Sequence, residues 1–185
     1  MRNLPVSNQF GLTLIELIFT LAILAVLTSI SAPALGNLLH GAHSRTARSS
    51  LLGSLGLARM TAVSVRREVI VCPSENHATC SDRASWQGGW IVFEDANQNG
   101  RRDEDEPLLE VIGEQTGVAI ATSAGRKFVR YRPDGSASGT DLTYTVCDRR
   151  GVQEAKTIVV SNPGRVREIQ PDPTRAAQAC AGLSR

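Results

Sequence analysis

Residues Gly11-Leu12-Thr13-Leu14-Ile15-Glu16 stand directly before the uncharged run Leu17-Ile18-Phe19-Thr20-Leu21-Ala22-Ile23-Leu24-Ala25-Val26-Leu27-Thr28-Ser29-Ile30, and this junction decides how the chain must fold. Apolar character reaches from Leu12 to Leu35, with Glu16 the one ionisable side chain inside it. About 20 helical residues, at about 1.5 Å each, cross a hydrocarbon core of about 30 Å, so the segment is long enough to span a membrane. A secretory signal peptide would have a shorter apolar run followed by a small-x-small cleavage site. Ser31-Ala32-Pro33-Ala34 offers such a site, but that reading leaves Glu16 without a role. A carboxylate within an apolar span costs about 2.5–3.5 kcal/mol and usually has a partner. A Glu16 held at the membrane interface, the plainer alternative, would cost little.

The rest of the chain is of ordinary globular composition. Its 185 residues suit one domain and an appendage, and its net charge of +2 is too balanced to mark the whole chain as a nucleic-acid binder. Any basic site must be local. Beyond Pro33, the residues Ala47, Leu51, Leu55, Ala58, Ala62 and Val65 recur at steps of three and four, which is one buried stripe of a helix. Arg45, Arg48 and Arg59 fall off that stripe and are expected in solvent or against a neighbouring subunit. His40 and His43 lie off any carboxylate or cysteine cluster and read as a solvated face. Gly36, Gly41, Gly53 and Gly56 each weaken the helix by about 1 kcal/mol relative to alanine. After Arg67 the period changes to two. Short β-rich runs at 68–72, 89–93, 107–111, 118–120, 127–131, 142–146 and 157–160, broken by Gly, Pro, Asn and Asp, predict a mainly antiparallel sheet domain packed on the helix stripe. From Gln170 onward the periodicity is weak and a loop or tail is expected.

The junction resembles the type III signal of type IV pilins and type II secretion pseudopilins. The phrases LGLARMTAVSVRREVIVCPS, GGWIVFEDANQNG, VRYRPDGSASG and IVVSNPGRVR, in that order along the chain, narrow the resemblance to the GspH/FimT family of minor pilins and pseudopilins. The resemblance implies an α+β, type IV pilin-like fold. A leader (1–11) precedes a long N-terminal helix (12–66), whose transmembrane half is about 14–34 and whose amphipathic half is about 35–66. That helix packs on a mainly antiparallel, β-sandwich-like head (67–185). It implies that a prepilin peptidase cuts after Gly11 and methylates the new amine of Leu12. It also implies that Glu16 neutralises the N-terminal amine of a neighbouring pilin subunit during assembly. Leu12 stands where phenylalanine is more usual, and Pro33 falls where many pilins loosen the helix with a proline. Single-pass insertion in the bacterial inner membrane is implied, with the head in the periplasm before the subunit enters a pilus or pseudopilus.

In that oxidising setting the four cysteines are expected to pair, Cys72 with Cys80 and Cys147 with Cys180, although four cysteines allow three connectivities. Asn162-Pro163-Gly164-Arg165-Val166-Arg167 resembles the GRxR motif with which FimT-type minor pilins bind DNA, carried here by Gly164, Arg165 and Arg167. In an extended backbone the two guanidinium groups share one side while Val166 points the other way. Arg149, Arg150, Arg130 and Arg132 are candidate auxiliary charges. The competing reading pairs Arg165 and Arg167 with Glu168, Asp172 or the acidic loop. A minor pilin at or near a pilus tip, binding DNA non-specifically for transformation, is the function implied. The alternatives are a GspH-type pseudopilin of type II secretion and a minor pilin that primes assembly or adhesion.

Two further expectations concern chemistry. Asp95 to Glu106, DANQNGRRDEDE, fits the calcium-loop pattern D-x-[DN]-x-[DN]-G-x5-E, with Asp95, Asn97, Asn99, Asp103 and Glu106 as oxygen donors. Against this, both flanks read as strand, Asn99-Gly100 is a strong turn signal, and Arg101 and Arg102 dilute the charge. A calcium loop and a polar hairpin tip both stay open. No nucleophile elbow, phosphate loop or H-E-x-x-H occurs, so the chain is expected to be a peptidase substrate without enzymatic activity, needing no cofactor beyond this calcium.

Overall fold

The computed structural model describes residues 13–123 and 126–184. Gly11 and Leu12, the expected processing junction, lie outside them. Helix α1 runs unbroken from Leu14 to Val65. Thr13 caps it, its hydroxyl accepting the Glu16 N–H at 3.3 Å, and the Glu16 charge lies in the first turn, where the helix dipole favours it. The backbone stays helical through Pro33, so the loosening expected there does not interrupt α1.

The chain divides into two units, one ending at Leu38 and one beginning at Leu39. In the first, the described large apolar side chains, among them Leu14, Ile18, Phe19, Ile23 and Leu27, are exposed. A window of the helix reaches a mean hydropathy of 2.3, long and apolar enough to cross a membrane. Hydroxyls in this stretch return their hydrogen bonds to the helix, Thr28 to Leu24 and Ala25, Ser29 to Val26 and Ser31 to Leu27. Back-bonding of this kind leaves no hydroxyl donor unsatisfied in an apolar medium.

The second unit holds two antiparallel four-stranded sheets. One orders its strands β3 (Leu108–Ile112), β2 (Trp90–Asp95), β1 (Glu68–Pro73) and β5 (Val129–Tyr131). The other orders β4 (Val118–Thr122), β6 (Leu142–Asp148), β7 (Lys156–Val160) and β8 (Val166–Ile169). Ala47, Leu51, Leu55, Ala58 and Ala62 of the helix stripe are buried against Val69, Val71, Val92, Ile120, Tyr144 and Ile158 of both sheets. Val65 closes the expected stripe but is 40% exposed, because the chain leaves the helix at Arg66 through a left-handed φ of 56°. Strand alternation sends Ile70 and Cys72 the other way, into a second cluster with Ile91 and Phe93. Trp90 is anchored by its indole N–H to the Ser54 hydroxyl at 2.9 Å, and Ser54 in turn bonds Glu110. The buried apolar residues from Ala47 to Ala179 and both disulfides belong to this unit, which therefore has a complete core of its own.

Two elements differ from expectation. The segment after Gln170 is not a loop: Pro173–Ala181 forms helix α2. Its start is strongly specified, with Asp172 accepting from the Thr174 and Arg175 N–H groups and proline at the first helical position. A helix this short is marginal alone, and the Cys147–Cys180 bridge with Ala176 and Ala179 packed on Cys147 and Ala155 holds it. β8 was absent from the expected strands, being short and mostly exposed, and it forms because β7 offers it an edge. Arg48 and Arg59 also depart from the expected place in solvent or against a neighbouring subunit: Arg48 pairs with Glu168 on β8, and Arg59 binds two loop carbonyls.

Candidate nucleic-acid interface

The turn between β7 and β8 closes on itself. Gly164 N–H donates to the Ser161 carbonyl at 2.7 Å, and Ser161 N–H and its hydroxyl both donate to the Arg165 carbonyl, at 3.0 and 3.1 Å. Gly164 has φ 76°, the left-handed region in which glycine escapes the Cβ penalty. A neighbouring loop between β5 and β6 clamps this turn. Ala137 N–H donates to the Asn162 carbonyl at 2.8 Å and Gly139 N–H to the Asn162 side-chain oxygen at 3.3 Å. From α1, the Arg59 guanidinium donates to Gly135 O at 3.0 Å and to Pro163 O at 3.2 Å, one planar fork joining both loops to the helix. Inside the second loop, hydrogen bonds from Ser136 hold the Asp134 carboxyl below its usual range.

On β8, Val166 packs on the core and Glu168 reaches Arg48, so alternation turns Arg167 away from both. Arg165 and Arg167 are exposed, and among the described residues neither has a carboxylate partner. The pairing with Glu168 that could have silenced them is taken by Arg48. Two cationic forks thus project from a turn that has little freedom to recoil.

The auxiliary arginines divide. Arg132 is exposed on the clamping loop and stays without an ion-pair partner among the described residues. Arg130 does not: its Nε lies 3.2 Å from Glu68 and its Nη2 3.7 Å from Asp95, with the guanidinium carbon 5.5 Å from the Phe128 ring. Arg150 is likewise spent, forking onto Asp148 at 2.9 and 2.8 Å and reaching Glu154 at 3.3 Å. Burial of Asp148 raises its carboxyl, but the Arg150 bonds outweigh that and hold it below the usual range. Arg149 is exposed but follows the far end of β6, about 20 Å along the strand from Leu142, which pairs with Val160 beside the turn. Arg149 and Arg150 are therefore not part of this surface.

The cysteines pair as Cys72–Cys80 and Cys147–Cys180, the connectivity the sequence reading expects. The loop from Asp95 to Glu106 spends its carboxylates on donors. Asp95 accepts the Asn99 and Gly100 N–H groups, both at 3.0 Å, and faces Arg130. Asp103 accepts the Asn97 and Asn99 amides, both at 2.7 Å, and Glu106 accepts the Ala96 and Asp103 N–H groups. Asp95 thus has a cation beside it, and the described residues hold no cluster of three or more His, Cys, Asp or Glu suited to a metal ion. This is the lock of a hairpin.

Arg59 is the residue that sequence reasoning missed. It borders the buried stripe, beside Ala58 and four residues after Leu55, and that position was its available signal.

A long helix leading into a sandwich of two antiparallel sheets, with an apolar first half, defines a protein of the type IV pilin class. The family described as type II transport protein GspH matches residues 47–164, and the prokaryotic N-terminal methylation motif matches residues 6–32. The chain belongs to the GspH family of minor pilins and pseudopilins. Among solved structures, the type IV minor pilin FimU of Pseudomonas aeruginosa is similar, at 17% identity over 74% of this chain and 93% of that one, with a TM-score of 0.54. The minor pseudopilin EpsH of the Vibrio cholerae type 2 secretion system is similar at 12% identity over 70% of this chain and 98% of that one, with a TM-score of 0.49. At 17% identity the FimU likeness speaks to the fold alone. Comparison with curated protein sequences finds no match.

Proposed function

We propose that this chain is a minor type IV pilin, placed at or near a pilus tip, whose head holds DNA through Arg165 and Arg167 for uptake. The observation that carries the reading is the pairing of Arg165 and Arg167 on one clamped turn, both exposed and, unlike Arg48, Arg59, Arg126, Arg130 and Arg150, not tied to a partner within the head. Exposed planar forks on a stiff turn suit phosphate oxygens, and phosphate contacts position a strand without reading its bases. Binding is therefore expected to be non-specific in sequence and weakened by salt. On this reading the chain is a substrate of the prepilin peptidase and carries out no catalysis. Its first unit anchors it in the inner membrane before assembly with other pilins through Glu16.

The test is a gel shift of the head, residues 39–185 with both disulfides formed, against duplex DNA at rising salt. The wild type is expected to shift DNA at low salt, and Arg165→Ala/Arg167→Ala to lower the log–log salt slope by about 0.9 per phosphate contact removed. A double variant that binds like the wild type removes the site. A wild-type head that shifts nothing at low salt favours the second reading, a minor pseudopilin of protein secretion, to which the family's description as a type II transport protein points.

A further inference from the structure

A cleft of about 570 Å³ opens on the outer side of the first sheet, within the range of small-ligand sites. Phe128 and the Cys72–Cys80 bridge line it, the ring half-buried against Ile70, Cys72, Ile91 and Phe93. Arg130 stands over that ring at 5.5 Å and helps fix it. Around this apolar base the lining cations are Arg101, Arg102, Arg126 and Lys127, against two carboxylates, Asp82 and Asp103. Asp103 already accepts from two amides, and Asp82 is paired with Lys127. Arg126 is paired with Asp141 and Arg102 donates to the Ala78 and Glu106 carbonyls, whereas Arg101 is exposed and has no ion-pair partner among the described residues, which leaves it the free cation at the mouth above an aromatic surface.

We propose that this cleft receives an unpaired nucleotide, which makes single-stranded DNA the form the head holds most tightly; the proposal rests on the reading of Arg165 and Arg167 as a DNA-contacting turn. An aromatic ring under a cationic mouth is the arrangement that takes a base by stacking and its phosphate by charge. The two features adjoin. Gly139 and Thr140 line the cleft, and the Gly139 N–H is the group that bonds the Asn162 side chain, three residues before Arg165. The loop that clamps the arginine turn is thus also one wall of the cleft. A duplex keeps its bases paired and stacked, and extruding one costs about 100-fold in affinity. An unpaired strand has no such penalty.

The experiment is fluorescence anisotropy of the 39–185 head with a labelled oligothymidylate and with a duplex of equal length. The single strand is expected to bind more tightly. Phe128→Leu keeps apolar packing and removes the stacking face, and is expected to weaken single-strand binding by about 5-fold or more while leaving the duplex unchanged. Arg101→Glu, a surface change, is expected to weaken the single strand more than the duplex. Equal affinity for both forms, or single-strand binding untouched by either variant, overturns the proposal. If Phe128→Leu lowers the melting temperature, Arg101→Glu carries the decision. Arg165→Ala/Arg167→Ala separates the two readings. Loss of both forms supports the arginine turn; unchanged binding of both, with Phe128→Leu still selective, rejects the turn and leaves the cleft; and no binding of either form by the wild type rejects both.

Discussion

Gly164 packs its bare Cα against the carbonyl of Gly135, so closely that a Cβ at Gly164 would lie 1.9 Å from that oxygen. Two independent constraints meet there, the contact and the φ of 76°. Gly164→Ala must violate both. It is expected to cost about 2 kcal/mol or more, from left-handed strain and a backbone clash that no side-chain motion relieves. Thermal unfolding of the head reads the loss, and a melting temperature equal to wild type would contradict this packing.

Arg59 joins the two loops through Gly135 O and Pro163 O. Bonds from a charged donor contribute about 1.5–3 kcal/mol, so Arg59→Ala is expected to destabilise by about 2 kcal/mol and free the turn. Arg59→Lys should recover only part, because an ammonium lacks the planar fork that spans both carbonyls. Exchange of the Gly164 and Ala137 amide hydrogens measures the effect. Unchanged protection in Arg59→Ala would show that the loops hold each other without the helix.

How much of this was legible in the sequence follows from range of interaction. The apolar span after Glu16, the helix stripe from Ala47 to Ala62 and seven of the strands are periodic patterns, and period is local. Gly164, Arg165 and Arg167 were legible as a short motif. The fates of the other arginines were not, because Arg48 meets Glu168 and Arg130 meets Glu68 across long separations that no local pattern records. Helix α2 was missed for a related reason: its weak stripe is stabilised by packing and by a bridge to Cys147, both distant in sequence. The calcium pattern is a match to residue types, and which N–H groups Asp95 and Glu106 accept is set by the fold and does not show in the pattern.

The Cys147–Cys180 bridge closes a separation of 33 residues and Cys72–Cys80 one of 8. In the chain-entropy picture these contribute about 3.7 and 2.5 kcal/mol. Cys147→Ser/Cys180→Ser should therefore lower the melting temperature more than Cys72→Ser/Cys80→Ser, and should also raise proteolysis within 173–181. The reverse order would show that α2 docks without its bridge.

Asp148 is buried, and Arg150 forks onto it directly beneath Gly41, whose Cβ would lie 3.0 Å from the guanidinium. Burial raises the Asp148 carboxyl, yet the Arg150 bonds bring it below the unfolded value of about 3.9. A carboxyl with a depressed folded value adds stability that is fully present above its unfolded value and is lost as pH falls through the folded one. The wild-type head is thus expected to lose stability below about pH 4, and Asp148→Asn to show a shallower loss over that interval. Arg150→Ala strands the buried carboxylate and is expected to cost about 3 kcal/mol at neutral pH. Melting temperatures from pH 7 down to pH 2 test both, and an acid limb of the same slope in Asp148→Asn would assign the acid sensitivity elsewhere.

The hairpin lock from Asp95 to Glu106 makes a prediction that separates it from a calcium site. Each Glu106 oxygen accepts one backbone N–H, from Ala96 at 2.8 Å and Asp103 at 3.1 Å, and Glu106 is buried. Glu106→Gln replaces one acceptor oxygen with an NH2 that faces a donor. It is expected to destabilise the head by about 1–3 kcal/mol, the cost of an unsatisfied buried group, whether or not calcium is present. Calcium added to the wild type should leave both melting temperature and titration heat unchanged, because the Arg130 guanidinium beside Asp95 opposes a second cation there. A melting temperature that climbs with calcium in the wild type and not in Glu106→Gln would show instead that the loop holds the metal through Glu106.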